Sequence, residues 1–159
     1  MIIANKLVKT LCEKQLTLAL AESITCGLAS HSLASFKGTG EVLRCSIVCY
    51  NEVVKTRVLG VPASLIKKFS AESPQVTARM AEGLRKMKVA DICAAVTGLA
   101  SAGGSENKNK PVGTVFYSIS WKGKKYTMRK RFRGTPLFIR KRACEELYAF
   151  ILKMVKQEL

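Results

Sequence analysis

The sequence predicts an α/β fold: a three-layer α/β/α sandwich built on a mixed sheet. Two patterns carry that expectation. Stretches with apolar residues at helical spacing alternate with short continuous apolar runs, which is how strands covered on both faces read. Near the C-terminus, Lys122-Gly123 joins two further strand-like runs into a hairpin, adding antiparallel pairs. With 159 residues, 48% of them hydrophobic, the chain suits one domain over residues 1–159 with a substantial core.

Taken in order, Ile3, Leu7, Val8 and Leu11 give an amphipathic helix over 3–14. Residues 16–22 are a buried strand, 23–27 a turn, and 28–36 a helix carrying Leu28, Leu33 and Phe36. Gly38 and Gly40 punctuate the chain before a second strand over 42–50. Asn51 caps a short helix with Val54 and Leu59 that ends at Gly60, and Pro62 opens another with Leu65, Ile66 and Phe69. Ser73-Pro74 is a helix start, Ser as N-cap and Pro at the first helical position, for a helix reaching about Lys88. A third strand covers 91–96, a long loop 97–111, the hairpin strands 112–120 and 125–133, and a final helix 136–156. A loop of that length in a small domain points to function.

Composition narrows the chemistry. The chain carries 27 Lys+Arg against 11 Asp+Glu, a net charge of +16, which favours anionic partners. From Lys122 to Arg142 there are ten basic residues and no acid, interleaved with Tyr126, Phe132 and Phe138, so a nucleic-acid face is one reading. No apolar run approaches the ~20 residues of a membrane span. The N-terminus has scattered charges and no signal-peptide cleavage pattern, and its first helix starts too early to leave room for a preceding domain. The six cysteines are not spaced as a disulfide framework and read as reduced, largely buried thiols of a cytoplasmic protein; Cys45 and Cys49 fall on one strand face. With His31 the only histidine and no Cys-x-x-Cys pair, a metal site is not expected.

Ligands in such folds gather at the carboxyl ends of strands. Ser23 stands on a strand-to-helix turn, where a hydroxyl meets the N–H groups of the next helix; Ser23 or Thr25 could equally be a helix cap. Tyr50 and Lys55 follow the second strand and supply a base that needs no histidine. His31 lies two turns along the helix after Ser23, about 11 Å of rise, too far for a Ser–His pair. Thr97-Gly98 ends the third strand, and Arg140 opens the last helix, where it could clamp a phosphate.

These segments, in order, resemble the C-terminal domain of the CinA (competence/damage-inducible) proteins, whose stand-alone form is nicotinamide-nucleotide amidohydrolase. The resemblance covers roughly residues 5–155 and rests on LALAES-x-T-x-G at 18–27, Tyr50 followed by Asn-Glu and a lysine, RVLGV at 57–61, ARMAEGLRK at 78–86, AVTGLA at 95–100, KPVGTV at 110–115 and the F-x-G…IR-x-RA run at 132–143. It implies a cofactor- and metal-independent amidase that converts nicotinamide mononucleotide to nicotinate mononucleotide and ammonia. It further implies Ser23 as nucleophile, with Lys55 and Tyr50 sharing base and proton-relay duties. On the same footing, the turn N–H groups from Thr25 through Cys26 to Gly27 hold the oxyanion or phosphate, Thr97 and Gly98 form the facing wall, and Arg140 reaches the phosphate. A homodimer is expected, as symmetric dimers are the commonest assembly.

The chain departs from the family pattern at Ile24 and Cys26, where the family reads Cys and Gly, and at Ser101 and Ala102, where a Gly and a Pro are replaced. A nucleotide-binding or regulatory domain without turnover is therefore the second reading, and a nucleic-acid binder the third.

Overall fold

The computed structural model describes residues 2–157; Met1, Glu158 and Leu159, inside the expected domain, lie outside the described residues. The elements are α1 (Ile2–Glu13), β1 (Leu18–Glu22), α2 (Leu28–Ala34), α3 (Thr39–Val42), β2 (Leu43–Val48), α4 (Glu52–Arg57), α5 (Ala63–Phe69), α6 (Pro74–Lys86), β3 (Ile92–Gly98), β4 (Thr114–Trp121), β5 (Lys124–Arg131) and α7 (Pro136–Gln157). The five strands form one sheet in the order β2-β1-β3-β4-β5. β1 lies parallel to β2 and β3, and β4 is antiparallel to β3 and β5. The expected three-layer mixed-sheet sandwich is the fold observed.

Two cores flank the sheet. On one face Leu18, Leu20, Ala94 and Val96 pack with the apolar stripes of α1, α2 and α7. On the other, Ala19, Ala21, Cys93 and Ala95 pack with residues of α5, α6 and the segment after α4. Strand alternation sends successive residues to opposite cores, which is why β1, β3 and β4 are almost entirely buried. Small side chains on β1 and β3 let α6 sit close to the sheet. Gly83 of α6 is required there, because a Cβ would come within 2.2 Å of the Leu59 carbonyl oxygen.

Caps fall where the sequence placed them. The Ser73 side chain accepts from the Val76 amide, and the Asn51 side chain from the Val53 amide. The structure differs at the second strand, expected over 42–50. A short helix, α3, occupies Thr39–Val42, and the strand itself ends at Val48. Gly38, at φ 91°, is left-handed and starts α3, and the Thr39 hydroxyl donates back to the Leu33 carbonyl to close it. Half of the basic run, Lys124, Lys125, Arg129, Lys130 and Arg131, falls on β5, an edge strand whose side chains are mostly exposed. Cys49, Cys93 and Cys144 are buried, Cys12 and Cys45 partly so, and Cys26 is exposed; all six are free thiols. Among the described residues, no helix is long and apolar enough to cross a membrane.

From β1 the chain crosses to β2 on one side, then returns past β1 to β3 on the other. The carboxyl end of β1 is therefore the point where connections diverge, leaving a crevice at the turn after it. That turn is organised by a carboxylate. Glu22 is fully buried on β1 and accepts from the amides of Ala29 (3.0 Å) and Ser30 (2.8 Å) and from the hydroxyls of Thr25 (2.8 Å) and Ser46 (2.8 Å). It satisfies the first turn of α2 and ties the turn to β2, a favourable place for negative charge. We expect Glu22→Ala, which strands four buried or half-buried donors, to cost about 3 kcal/mol or more. Thermal unfolding should show a melting temperature lower by about 10 °C; an unchanged value would contradict this role.

Candidate active site

The turn after β1 delivers Ser23 to the face of the sheet that carries α4. Its amide donates to the Val96 carbonyl (3.1 Å), which locks the turn to β3. Its hydroxyl, in a residue 6% exposed, is met by a lysine 32 residues downstream: Lys55 Nζ lies 3.1 Å from Ser23 Oγ. Lys55 comes from α4, whose start is fixed by the Asn51 cap, and the helix aims the side chain back under the turn. Lys55 Nζ also donates to the carbonyls of Cys49 (2.6 Å) and Tyr50 (3.4 Å).

Lys55 is 1% exposed and has no carboxylate within ion-pair distance among the described residues. Burial pushes its pKa below the ordinary lysine value of 10.5, against weaker attraction from the more distant carboxylates of Glu72 and Glu52. The Cys49 thiol beside it is pushed up to about 11, also by burial, and stays protonated. A depressed, buried lysine touching a serine hydroxyl can serve as that serine's base.

Ser23 opens into a cleft of ≈ 180 Å³. Ile24, Tyr50, Glu72 and Arg140 line it together with Gly98 and the following segment to Gly104. Gly98 has to be glycine for want of space: a Cβ would come within 2.6 Å of the Thr114 carbonyl oxygen and 2.9 Å of Ile24 Cδ1. Arg140 donates to the Ile24 carbonyl (2.5 Å) and stands 3.5 Å from the Tyr50 hydroxyl.

Several expected site residues stand elsewhere. The Thr25 hydroxyl is spent on Glu22, whereas its amide, the group expected to serve an oxyanion, donates to no protein group among the described residues. The Cys26 amide donates to the Ser23 carbonyl, and the amides of Ala29 and Ser30 are taken by Glu22, so the first turn of α2 has its anion already. Cys26 is left-handed, at φ 49°, with Gly27 following at φ 88°, and its side chain is exposed rather than lining the cleft. The Thr97 hydroxyl is buried against Thr77 (2.7 Å) and does not form the facing wall, a position held by Gly98. Tyr50, 59% exposed, has its hydroxyl by Arg140 rather than on Ser23 or Lys55, and only its backbone carbonyl reaches the lysine. His31 is exposed on α2.

The sequence reading gave no role to Glu22, Glu72 or Lys110. Glu22 was detectable as a charge ending a five-residue strand that is otherwise apolar. Lys110, which is buried, donates to Ser70 Oγ (2.5 Å), the Glu72 carbonyl (2.9 Å) and Ser105 Oγ (2.6 Å). The Ser105 hydroxyl donates in turn to the Glu72 carboxylate. This network pins the long loop after β3 to the turn before α6, so the cleft wall is ordered. Glu72 sits in a turn with no periodicity to mark it.

The chain is similar to known proteins over nearly its whole length. The family model of the CinA C-terminal domain matches residues 2–155. A CinA-like protein of Pseudothermotoga lettingae is 44% identical over 114 residues, 71% of this chain and 28% of that protein. One from Petrotoga mobilis is 39% identical over 142 residues, 89% of this chain and 35% of that protein. The chain thus spans about a third of the length of these relatives. Among solved structures, a CinA superfamily protein from Escherichia coli superposes with a TM-score of 0.89 at 29% identity, covering 96% of this chain and 88% of that one. Another, from Klebsiella pneumoniae, gives 0.92 at 26% identity, covering 98% and 97%. The Ser23–Lys55 cleft therefore stands in a domain of known kind: the chain belongs to the CinA C-terminal domain family.

Proposed function

We propose that this domain is a nicotinamide mononucleotide amidohydrolase, with Ser23 as nucleophile and Lys55 as its base. The observation that carries the reading is the contact between a buried, depressed lysine and the serine hydroxyl at the cleft floor. The substrate comes from the family resemblance.

In this mechanism neutral Lys55 takes the Ser23 proton as Oγ attacks the carboxamide carbon. The oxyanion faces the amides of Ile24 and Thr25, which donate to no protein group among the described residues. Lys55 returns the proton to the nitrogen as the C–N bond breaks and ammonia leaves. Water, deprotonated by Lys55, then opens the Ser23 ester, releasing the carboxylate and restoring the hydroxyl. The cleft is smaller than the ~300–1,000 Å³ typical of ligand pockets. It holds the carboxamide ring, while ribose and phosphate extend past Tyr50 toward Arg140. Tyr50 acts by packing on the substrate, and Lys55 carries the proton alone. A second reading, nucleotide binding without turnover, rests on Ser101 and Ala102 in the cleft wall, and the same assay decides it.

Ammonia release from nicotinamide mononucleotide is expected from the unsubstituted chain. Ser23→Ala and Lys55→Met should each lower kcat by about 10³-fold or more at unchanged fold. No turnover by the unsubstituted, folded chain would overturn the reading.

Because only neutral Lys55 is a base, kcat/KM should rise with pH and level off below 10.5, the ordinary lysine value, as burial favours the neutral form. A flat profile would exclude lysine as the base.

Tyr50→Phe should leave kcat within about tenfold, since its hydroxyl is not on the proton path. Cys26→Gly should leave kcat within about twofold, because its side chain is outside the cleft, and should raise stability by about 1 kcal/mol by relieving the left-handed conformation. Steady-state kinetics and thermal melts check both.

A further inference from the structure

The cleft contains one carboxylate and one cation among its lining residues: Glu72 and Arg140. In a chain of net charge +16, an acidic group here is against the general field. It is also held in place. One Glu72 oxygen accepts from the Ser105 hydroxyl, and Lys110 fixes Ser105 and the Glu72 backbone from behind. The other carboxylate oxygen, Oε1, makes no hydrogen bond among the described residues. Arg140 is likewise fixed, by the Ile24 carbonyl and beside Tyr50.

A ligand complementary to such a cleft carries both a positive and a negative group. We infer that Glu72 is a specificity-determining residue, the counter-charge that selects a cationic pyridinium ring over a neutral carboxamide-bearing ring, with Arg140 taking the ligand's phosphate. This rests on the amidase reading for the ligand's class and adds what that reading leaves open, namely how the site distinguishes ring charge. The physical basis is Coulombic. A carboxylate in a partly desolvated cleft attracts a ring cation far more than it does in bulk water, and attracts a neutral ring of the same shape hardly at all. The Tyr50 ring, on the same cleft, holds the Arg140 guanidinium over its face at 5.9 Å from the centroid, which keeps that cation at the cleft for the phosphate.

The test compares nicotinamide mononucleotide with its reduced, dihydropyridine form, which has the same ribose, phosphate and carboxamide but an uncharged ring. Titration calorimetry in the Ser23→Ala background prevents turnover during the measurement. The oxidised form should bind about tenfold or more tightly than the reduced one. Adding Glu72→Gln, which keeps an acceptor for Ser105, should cut that preference to within about threefold by weakening the oxidised form alone. Equal binding of the two forms before Glu72 is changed overturns the inference, and so does equal weakening of both by Glu72→Gln or failure to bind either. Should Glu72→Gln not fold, the ratio in the Ser23→Ala chain still decides. Ammonia release by the unsubstituted chain is scored separately. Turnover with no ring-charge preference sinks the role of Glu72 and leaves the amidase standing; a preference abolished by Glu72→Gln without turnover does the reverse.

Discussion

A lysine side chain buried without a carboxylate is costly, and the arrangement around Lys55 is what makes it tolerable. Its three contacts are two backbone carbonyls and the Ser23 hydroxyl, and none brings a compensating negative charge. The low polarity that would be a defect in a structural lysine is what favours the neutral amine. In the proposed reaction the base is thus made by packing rather than by a partner residue, and the single histidine of the chain, exposed on α2, has no part in it.

That packing depends on the topology. Ser23 and Lys55 are separated by β2 and its flanking helices, and they meet only because β2 pairs parallel to β1 and brings α4 back over the end of β1. Glu22 then does on one face of the sheet what Lys55 does on the other. Adjacent residues on a strand point oppositely. Glu22 goes into the α2 side, where helix N–H groups receive it, and Ser23 goes to the α4 side, where the lysine waits. One dipeptide at a strand end therefore fastens both outer layers to the sheet. The amides of Ala29 and Ser30 are consumed in doing so, which leaves those earlier in the turn for the oxyanion of the proposed reaction.

Much of this was legible beforehand. Continuous apolar runs gave β1 and β3, Lys122-Gly123 gave the hairpin, and Ser73-Pro74 and Asn51 gave their caps, because each rests on local chemistry. Ser23 and Lys55 were both singled out from their positions at strand ends. What the sequence could not supply was side-chain direction. Thr25, Thr97 and Tyr50 lie at the right end of the sheet, yet their hydroxyls go to Glu22, Thr77 and Arg140. A hydroxyl's partner is set by which layer it faces, and a turn with two left-handed residues hides that from any periodicity. Glu72 and Lys110 escaped notice for a related reason: they meet across 38 residues, in two segments without regular structure.

The protonation state of Lys55, on which the proposed chemistry turns, can be observed without substrate. With 13C-labelled lysine, the Cε resonance of Lys55, assigned by its loss in Lys55→Met, reports protonation directly. Burial of the amine predicts a titration below 10.5, the ordinary lysine value. A titration at or above 10.5 would contradict this, for Lys55 would then be a structural ammonium and Ser23 would have no base.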